Sequence, residues 1–260
     1  MTTTKEILAY INELYPLCNA AEFDKGKIGM QFGSKEASVA KVILALDTTM
    51  EVIDEAIVNG ANLIISHHPF MFAPLLNLDY DSPFGRKLAK IINHQINIMA
   101  FHTNFDVANG GMNDELAKVL GLKDIHYLTD EICADSLLRV GSIDEAPLEE
   151  VIALIKKAYS QEAIRYVGDL KKPIKTIGIV GGAGSTEFYD ALGAGCDLFI
   201  TGQIPHHLGL EAMSYNMALV EVSHAVEYLG VVHLREVLAK KYPNVEFILA
   251  SNTPDPFKIL

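Results

Sequence analysis

Shifted by 135 residues against itself, the chain lays Val42–Ser66 over Ile177–Thr201 without a gap. Ala56 then falls on Ala191, Gly60 on Gly195, Leu63 on Leu198 and Ile65 on Ile200. Identities are few, but the apolar runs and the helix-stopping glycine coincide, as in a structural unit used twice. The unit reads as strand, helix, strand: Val42 to Leu46, Thr49 to Asn59 closed by Gly60, then Asn62 to Ser66. Short apolar runs alternating with helical stretches predict parallel strands joined by crossovers. The expected fold class is α/β, with two related α/β lobes arising from an internal duplication. A first lobe over 1–128, open to being rejoined by 228–260, precedes a second over 129–227.

The remaining elements follow from local signals. Thr3 and Glu6 have capping-box spacing, and Ile7, Leu8, Ile11, Leu14 and Tyr15 continue at helical intervals. Three glycines between Glu22 and Gly33 predict a turn or irregular hairpin. A helix over Pro83–Asn93 leads to a strand over Asn97–Phe101, and Asn113 or Asp114 is placed to cap a helix ending at Gly121. Further on, strands are expected near Ser136–Val140, Ala163–Tyr166, Met217–Val222 and Val245–Ala250, with helices over Leu148–Tyr159 and Gly230–Lys241.

Composition narrows the function. With 260 residues, half of them hydrophobic, the chain can bury a substantial core. A formal charge of −12 and a pI near 5.1 argue against a nucleic-acid partner and against an anionic membrane. Lys171, Lys172 and Lys175, beside Asp169, read as a solvated cluster. Cys18, Cys133 and Cys196 are too scattered for a disulfide framework or a cysteine-based zinc motif, so they are expected as reduced thiols. Lys5, Glu6 and Glu13 interrupt any signal-like segment, and no apolar run approaches the roughly 18 residues of a membrane span. The expected location is cytoplasmic.

The strand ends carry the chemistry. Leu63-Ile64-Ile65-Ser66 stops at His67-His68-Pro69, and Asn97–Phe101 stops at His102-Thr103-Asn104-Phe105-Asp106. In the second copy Gly202-Gln203 stands where His67-His68 would fall, yet the next strand again ends in Ser223-His224-Ala225-Val226-Glu227. His67, His68, His102, Asp106, His224 and Glu227 form a nitrogen and oxygen donor set without sulfur. Such a set suits Zn²⁺, Mn²⁺, Fe²⁺, Ni²⁺ or Co²⁺ rather than Ca²⁺ or Mg²⁺. Six donors exceed the needs of one catalytic ion, and carboxylates can bridge, so two divalent ions about 3.5–4 Å apart are expected. His206-His207 lies beyond Pro205 and is a weaker candidate, whereas His94, His126 and His233 read as structural. Gly181-Gly182-Ala183-Gly184-Ser185 follows a strand and opens a helix, but lacks both the dinucleotide fingerprint and the P-loop lysine. It reads either as a tight turn or as a substrate contact through Gly182, Gly184 and Ser185.

Three blocks in order, Ile65–Phe70, Phe101–Asp106 with Gly110–Asp114 behind it, and Ser223–Glu227, resemble the signature of the GTP cyclohydrolase 1 type 2 homologue family, also called the NGG-interacting factor 3-like family. The segments Asp24–Gly33 and Asn252–Phe257 are similar to that family's ends. The resemblance implies two related lobes with a dinuclear metal site between them and a ring-shaped homohexamer. Its ligands, carried over by position, are His67, His68, Asp106, His224 and Glu227, with His102 close by. Two functions fit: a metal-dependent hydrolase of a nucleotide or other phosphorylated small molecule, or a non-enzymatic metal-binding or interaction scaffold.

Overall fold

The computed structural model describes residues 1–128, 136–251 and 255–258; Cys133 and the beginning of the Asn252–Phe257 tail lie outside them. The chain divides into two compact units, Met1–Phe105 with Val231–Thr253, and Asp106–Gly230 with Pro254–Leu260.

The first unit begins with α1 (Thr4–Leu14), where Thr3 and Glu6 form the reciprocal capping box and Ile7 and Ile11 are buried. The strands β1 (Gly29–Phe32), β2 (Lys41–Ala45), β3 (Leu63–Ser66) and β4 (Asn97–Ala100), joined by α2 (Met50–Asn59) and α3 (Pro83–Asn93), build one sheet. Its order is β1-β4-β3-β2, extended at the far edge by a strand from the C-terminal segment, Glu246–Leu249. β2, β3 and β4 run parallel, with Ala45 beside Ser66 and Ser66 beside Ala100, so their carboxyl ends are level. Both faces of these strands are buried, which is why they read as unbroken apolar runs. Val52, Ile53 and Ala56 of α2 and Leu88 and Ile91 of α3 pack on Ile43, Ile64 and Ile98. The glycine-rich segment makes the expected turn at residues 25–27 but then continues as a strand rather than a loop: Gly29–Phe32 pairs antiparallel with β4 through an irregular register between Met30 and Phe32. That pairing joins residues some seventy positions apart, and local composition carries no trace of it.

The second unit is also built on parallel strands joined by helices. After α4 (Thr103–Val107), α5 (Met112–Leu120) leads to β5 (Lys123–His126), β6 (Arg139–Pro147), α6 (Leu148–Ala158) and β7 (Arg165–Val167). Then come β8 (Pro173–Ile179), α7 (Phe188–Gly193), β9 (Leu198–Thr201), α8 (His206–Ser214) and β10 (Ala218–Glu221). The sheet order is β5-β6-β8-β9-β10-β7, with β8, β9 and β10 parallel and β7 antiparallel on the β10 edge. Leu198, Ile200, Ala218 and Val220 face α5 and α6, while Phe199 and Leu219 face α7 and α8, giving a helix–sheet–helix sandwich. Gly60 and Gly195 both adopt left-handed backbone, at φ 67° and 74°. α8 is absent from the sequence expectations because only Leu208 and Ala212 of it are buried, too short a stripe to show as periodicity. The chain returns to the first unit through α9 (Tyr228–Lys241) and β11 (Glu246–Leu249), the edge strand already described. Among the described residues, no helix is long and apolar enough to cross a membrane.

The cap expected at Asn113 or Asp114 is not made by either. Gly111 occupies the N-cap of α5, and both side chains are buried in other bonds. Asp114 pairs with the fully buried Arg139 and accepts from Gly110 N (2.7 Å) and Tyr127 Oη (2.9 Å). Arg139 also donates to the carbonyls of Val107 (2.6 Å) and Ala108 (3.3 Å), binding together the segment between α4 and α5.

Candidate metal centre

In the first unit, the carboxyl ends of three adjacent parallel strands converge, the place where open α/β sheets bind ligands. His67 and His68 continue β3, their amides still bonded to Ala45 O (3.1 Å) and Leu46 O (2.9 Å). His102 follows β4 by two residues. The ring centroids of His67 and His68 are 4.9 Å apart, those of His67 and His102 5.1 Å, and those of His68 and His102 5.6 Å. One nitrogen from each of the three lies within 4.8 Å of the other two.

Each of these imidazoles has its Nδ1 against an oxygen. His67 Nδ1 meets Phe101 O at 2.9 Å, His68 Nδ1 meets Asp47 Oδ1 at 2.8 Å, and His102 Nδ1 meets Asp24 Oδ2 at 2.7 Å. Carbonyl and carboxylate oxygens only accept, so all three Nδ1 atoms carry a proton, and Nε2 is the ring nitrogen that can ligate a metal when the imidazole is neutral. That is the outer-shell pattern of metal-binding histidines, in which a bonded Nδ1–H fixes tautomer and ring orientation. The donor set therefore fits a divalent transition metal.

Asp24 is the residue that sequence reasoning missed. It ends a short 3-10 turn, Glu22–Asp24, ahead of β1, and is fully buried. Its Oδ2 also accepts from Thr103 N (3.1 Å) and Thr103 Oγ1 (2.6 Å). Burial pushes its pKa up most strongly, but the bonds from His102 and Thr103 and the attraction of His102 together outweigh it, so the carboxyl is held below its ordinary value. The signal was present only as a carboxylate inside a block resembling a family's end; nothing local tied it to His102.

In the second unit, the strand ends carry a different set. Ser223 caps a 3-10 turn, His224–Glu227, accepting from Ala225 N at 3.0 Å. A 3-10 helix brings residues three apart onto one line, and His224 Nε2 and Glu227 Oε2 stand 3.1 Å apart. Glu227 is buried, His224 half-buried, and Gln203 Nε2 lies 3.2 Å from His224 Nδ1. Asp106, on α4 and 7% exposed, opens this unit. Asn113 joins it to the glycine loop: its Nδ2 donates to Asp106 O (3.2 Å), and its Oδ1 accepts from Gly181 N (2.7 Å).

The loop packs tightly on the same groups. Gly182 has φ 59°, and a Cβ there would collide with Glu227 Oε1 and lie 3.2 Å from His224 Nε2. Gly184 is buried against Val180 and opens a four-residue 3-10 turn, and Ser185 is half-buried at a cavity wall. His206 and His207 are exposed at the start of α8, and His94 and His126 are exposed as well.

A family model described as Duf34/NIF3 (NGG1p interacting factor 3) matches residues 2–256. A protein of Clostridium perfringens named GTP cyclohydrolase 1 type 2 homolog is 34% identical, the match covering 98% of either chain. Its namesake in Clostridium acetobutylicum is 32% identical over 98% of this chain and 97% of its own. Among solved structures, a Staphylococcus aureus hypothetical protein superposes with a TM-score of 0.92 at 30% identity over 99% of each chain. A Bacillus cereus protein related to NIF3 gives 0.92 at 25% identity, covering 100% of this chain and 99% of that one.

Proposed function

This chain belongs to the Duf34/NIF3 (NGG1p interacting factor 3) family, and on that footing we propose that it is a two-metal hydrolase of a nucleotide or related phosphorylated small molecule. In this reading the ligands are His67, His68, His102, Asp106, His224 and Glu227, and together they hold two divalent ions. The observation that carries the reading is the trio of His67, His68 and His102, each with Nδ1 held by an oxygen and one ring nitrogen of each within 4.8 Å of the others. The name shared by the curated relatives supports a nucleotide as substrate. Assembly as a homohexameric ring in the cytoplasm belongs to the same reading.

Divalent ions held there would supply Lewis-acid activation of water and of the bond to be cleaved. The chain's own part is preorganisation. Phe101 O, Asp47 and Asp24 hold three imidazoles in one tautomer, and the 3-10 turn aligns His224 with Glu227. Gly182 lets the loop approach these side chains closely, and Ser185 on the adjoining cavity wall contacts the substrate.

The test strips the protein with a chelator, reloads it with Zn²⁺, Mn²⁺ or Fe²⁺, and measures bound metal per chain and turnover across nucleotides, GTP first. The expected result is two ions per chain and hydrolysis that disappears in the double variant Asp106→Ala, His224→Ala. Equal turnover in that variant refutes the site. Stoichiometric metal without turnover of any nucleotide replaces the hydrolase with the scaffold reading.

A further inference from the structure

The second unit holds a cavity of about 770 Å³ with His224 in its wall, within the usual size range of small-molecule sites. Its sides include Ile164, Ile204, Pro205 and Phe257, the last brought there by the C-terminal tail. The tail is held in place at Asp255, which accepts from Ser223 Oγ, next to His224, and from Phe257 N (2.9 Å).

The charges lining this cavity are unsuited to phosphate. Arg165 is its sole guanidinium or ammonium among the described residues, and Arg165 Nη1 is bonded to Glu221 Oε1 at 2.7 Å. Glu221 Oε2 in turn accepts from Ile204 N at 2.7 Å. With Asp255 also in the wall, carboxylates outnumber the guanidinium, so an anionic group entering would meet repulsion without a spare cation. The glycine loop offers no alternative cradle, since Gly182 lies directly against the Glu227 carboxylate. Apolar sides with a few hydrogen-bonding groups, the Gln203 amide, the Ser185 hydroxyl and the Asp255 carboxylate, match instead a flat, uncharged heteroaromatic ring with donors and acceptors on its edge.

We propose that this cavity receives the nucleobase of the substrate and that the phosphates stay outside it. The inference rests on the reading that the substrate is a nucleotide. It places the base, rather than the phosphate chain, beside His224, and makes Phe257 and Ile204 the side chains against which the ring lies.

Equilibrium binding to the metal-stripped full chain, by calorimetry, tests this apart from catalysis. Guanosine, adenosine, GTP and ribose 5-phosphate serve as probes. A nucleoside is expected to bind within about fivefold of GTP, ribose 5-phosphate not at all, and Phe257→Ala to weaken nucleoside binding at least fivefold, in line with the loss of one stacking surface. Phe257 is 78% exposed, so this variant leaves the fold intact; Ile204→Asp, checked by circular dichroism, is expected to weaken binding further. GTP binding that neither nucleoside reproduces, ribose 5-phosphate binding as tightly as GTP, or affinities unchanged in both variants overturns the assignment. Nucleoside binding to stripped protein, together with no turnover by loaded protein, overturns the hydrolase and supports the cavity assignment.

Discussion

Replacing Asp24 by Asn tests whether the buried carboxylate serves the imidazole cluster or only the fold. The amide oxygen can take the place of Oδ2 and keep the bonds from His102 Nδ1, Thr103 N and Thr103 Oγ1. The amide nitrogen then falls where Oδ1 now sits, buried and with no hydrogen-bond partner among the described residues. An unsatisfied buried donor costs about 1–3 kcal/mol, and each of three bonds loses its charge assistance, partly offset by no longer burying a charge. A net destabilisation of about 2–3 kcal/mol is expected in urea unfolding of the stripped protein. Metal binding adds a separate loss, because a neutral amide makes the His102 ring a weaker base: about 10–100-fold in affinity, or about 1.4–2.8 kcal/mol. Competition of Zn²⁺ between protein and a chromophoric chelator measures it. The stability difference also has a pH signature. The Asp24 carboxyl is held below its ordinary 3.8, so its contribution is complete above that value and disappears as pH falls through the lower folded value. The gap between wild type and Asp24→Asn therefore narrows below about pH 4 and not above it. A variant with reduced stability but unchanged zinc affinity would show that Asp24 is scaffold alone, and the outer-shell argument for His102 would fall with it.

Two further results follow from buried groups away from the imidazoles. Arg139→Met leaves Asp114 buried without its cation, and should cost about 3–5 kcal/mol in urea unfolding, with Asp114→Asn added to it recovering part; a loss below 1 kcal/mol would refute the clamp. Cys196, buried and beside Asp197, has its thiol pushed up to about 12 by burial first and the neighbouring charge second, whereas Cys18 is exposed. Iodoacetamide at pH 8, read by mass spectrometry, should label Cys18 in the native protein and Cys196 only after unfolding, and equal labelling rates would contradict the packing around β8 and β9.

What the sequence could reveal was set by how local each feature is. The capping box at Thr3 and Glu6 and the left-handed glycines at 60 and 195 involve neighbours in the chain, and all are read correctly from spacing. The buried parallel strands announce themselves because both faces are apolar, and a histidine directly after such a run must lie at its carboxyl end. Asp24, by contrast, meets His102 only because β1 pairs with β4, a contact across 78 positions. Asp114 misled and Arg139 went unread for a related reason: a carboxylate near a helix start and a charge in a strand each have an ordinary exposed role, and only their burial together reveals the pair. Asn113 belongs with them, its amide being committed to Asp106 O and Gly181 N rather than to the helix end.

Under the proposed duplication, the same strand ends have been put to different uses. At the shift of 135, Asp47 corresponds to Gly182, and His67-His68 to Gly202-Gln203. The first unit fills this edge with imidazoles and a carboxylate that orients one of them. The second empties it. A Cβ at Gly202 would run 2.6 Å from Gly182 O and 3.0 Å from His224 Cα, so the two glycines let adjacent strand ends close on each other. Gly202 and Gln203 then line the cavity beside His224 instead of supplying ligands. On that proposal the second copy has space where the first has donor atoms, and Gln203, where the first has His68, stands against the His224 imidazole.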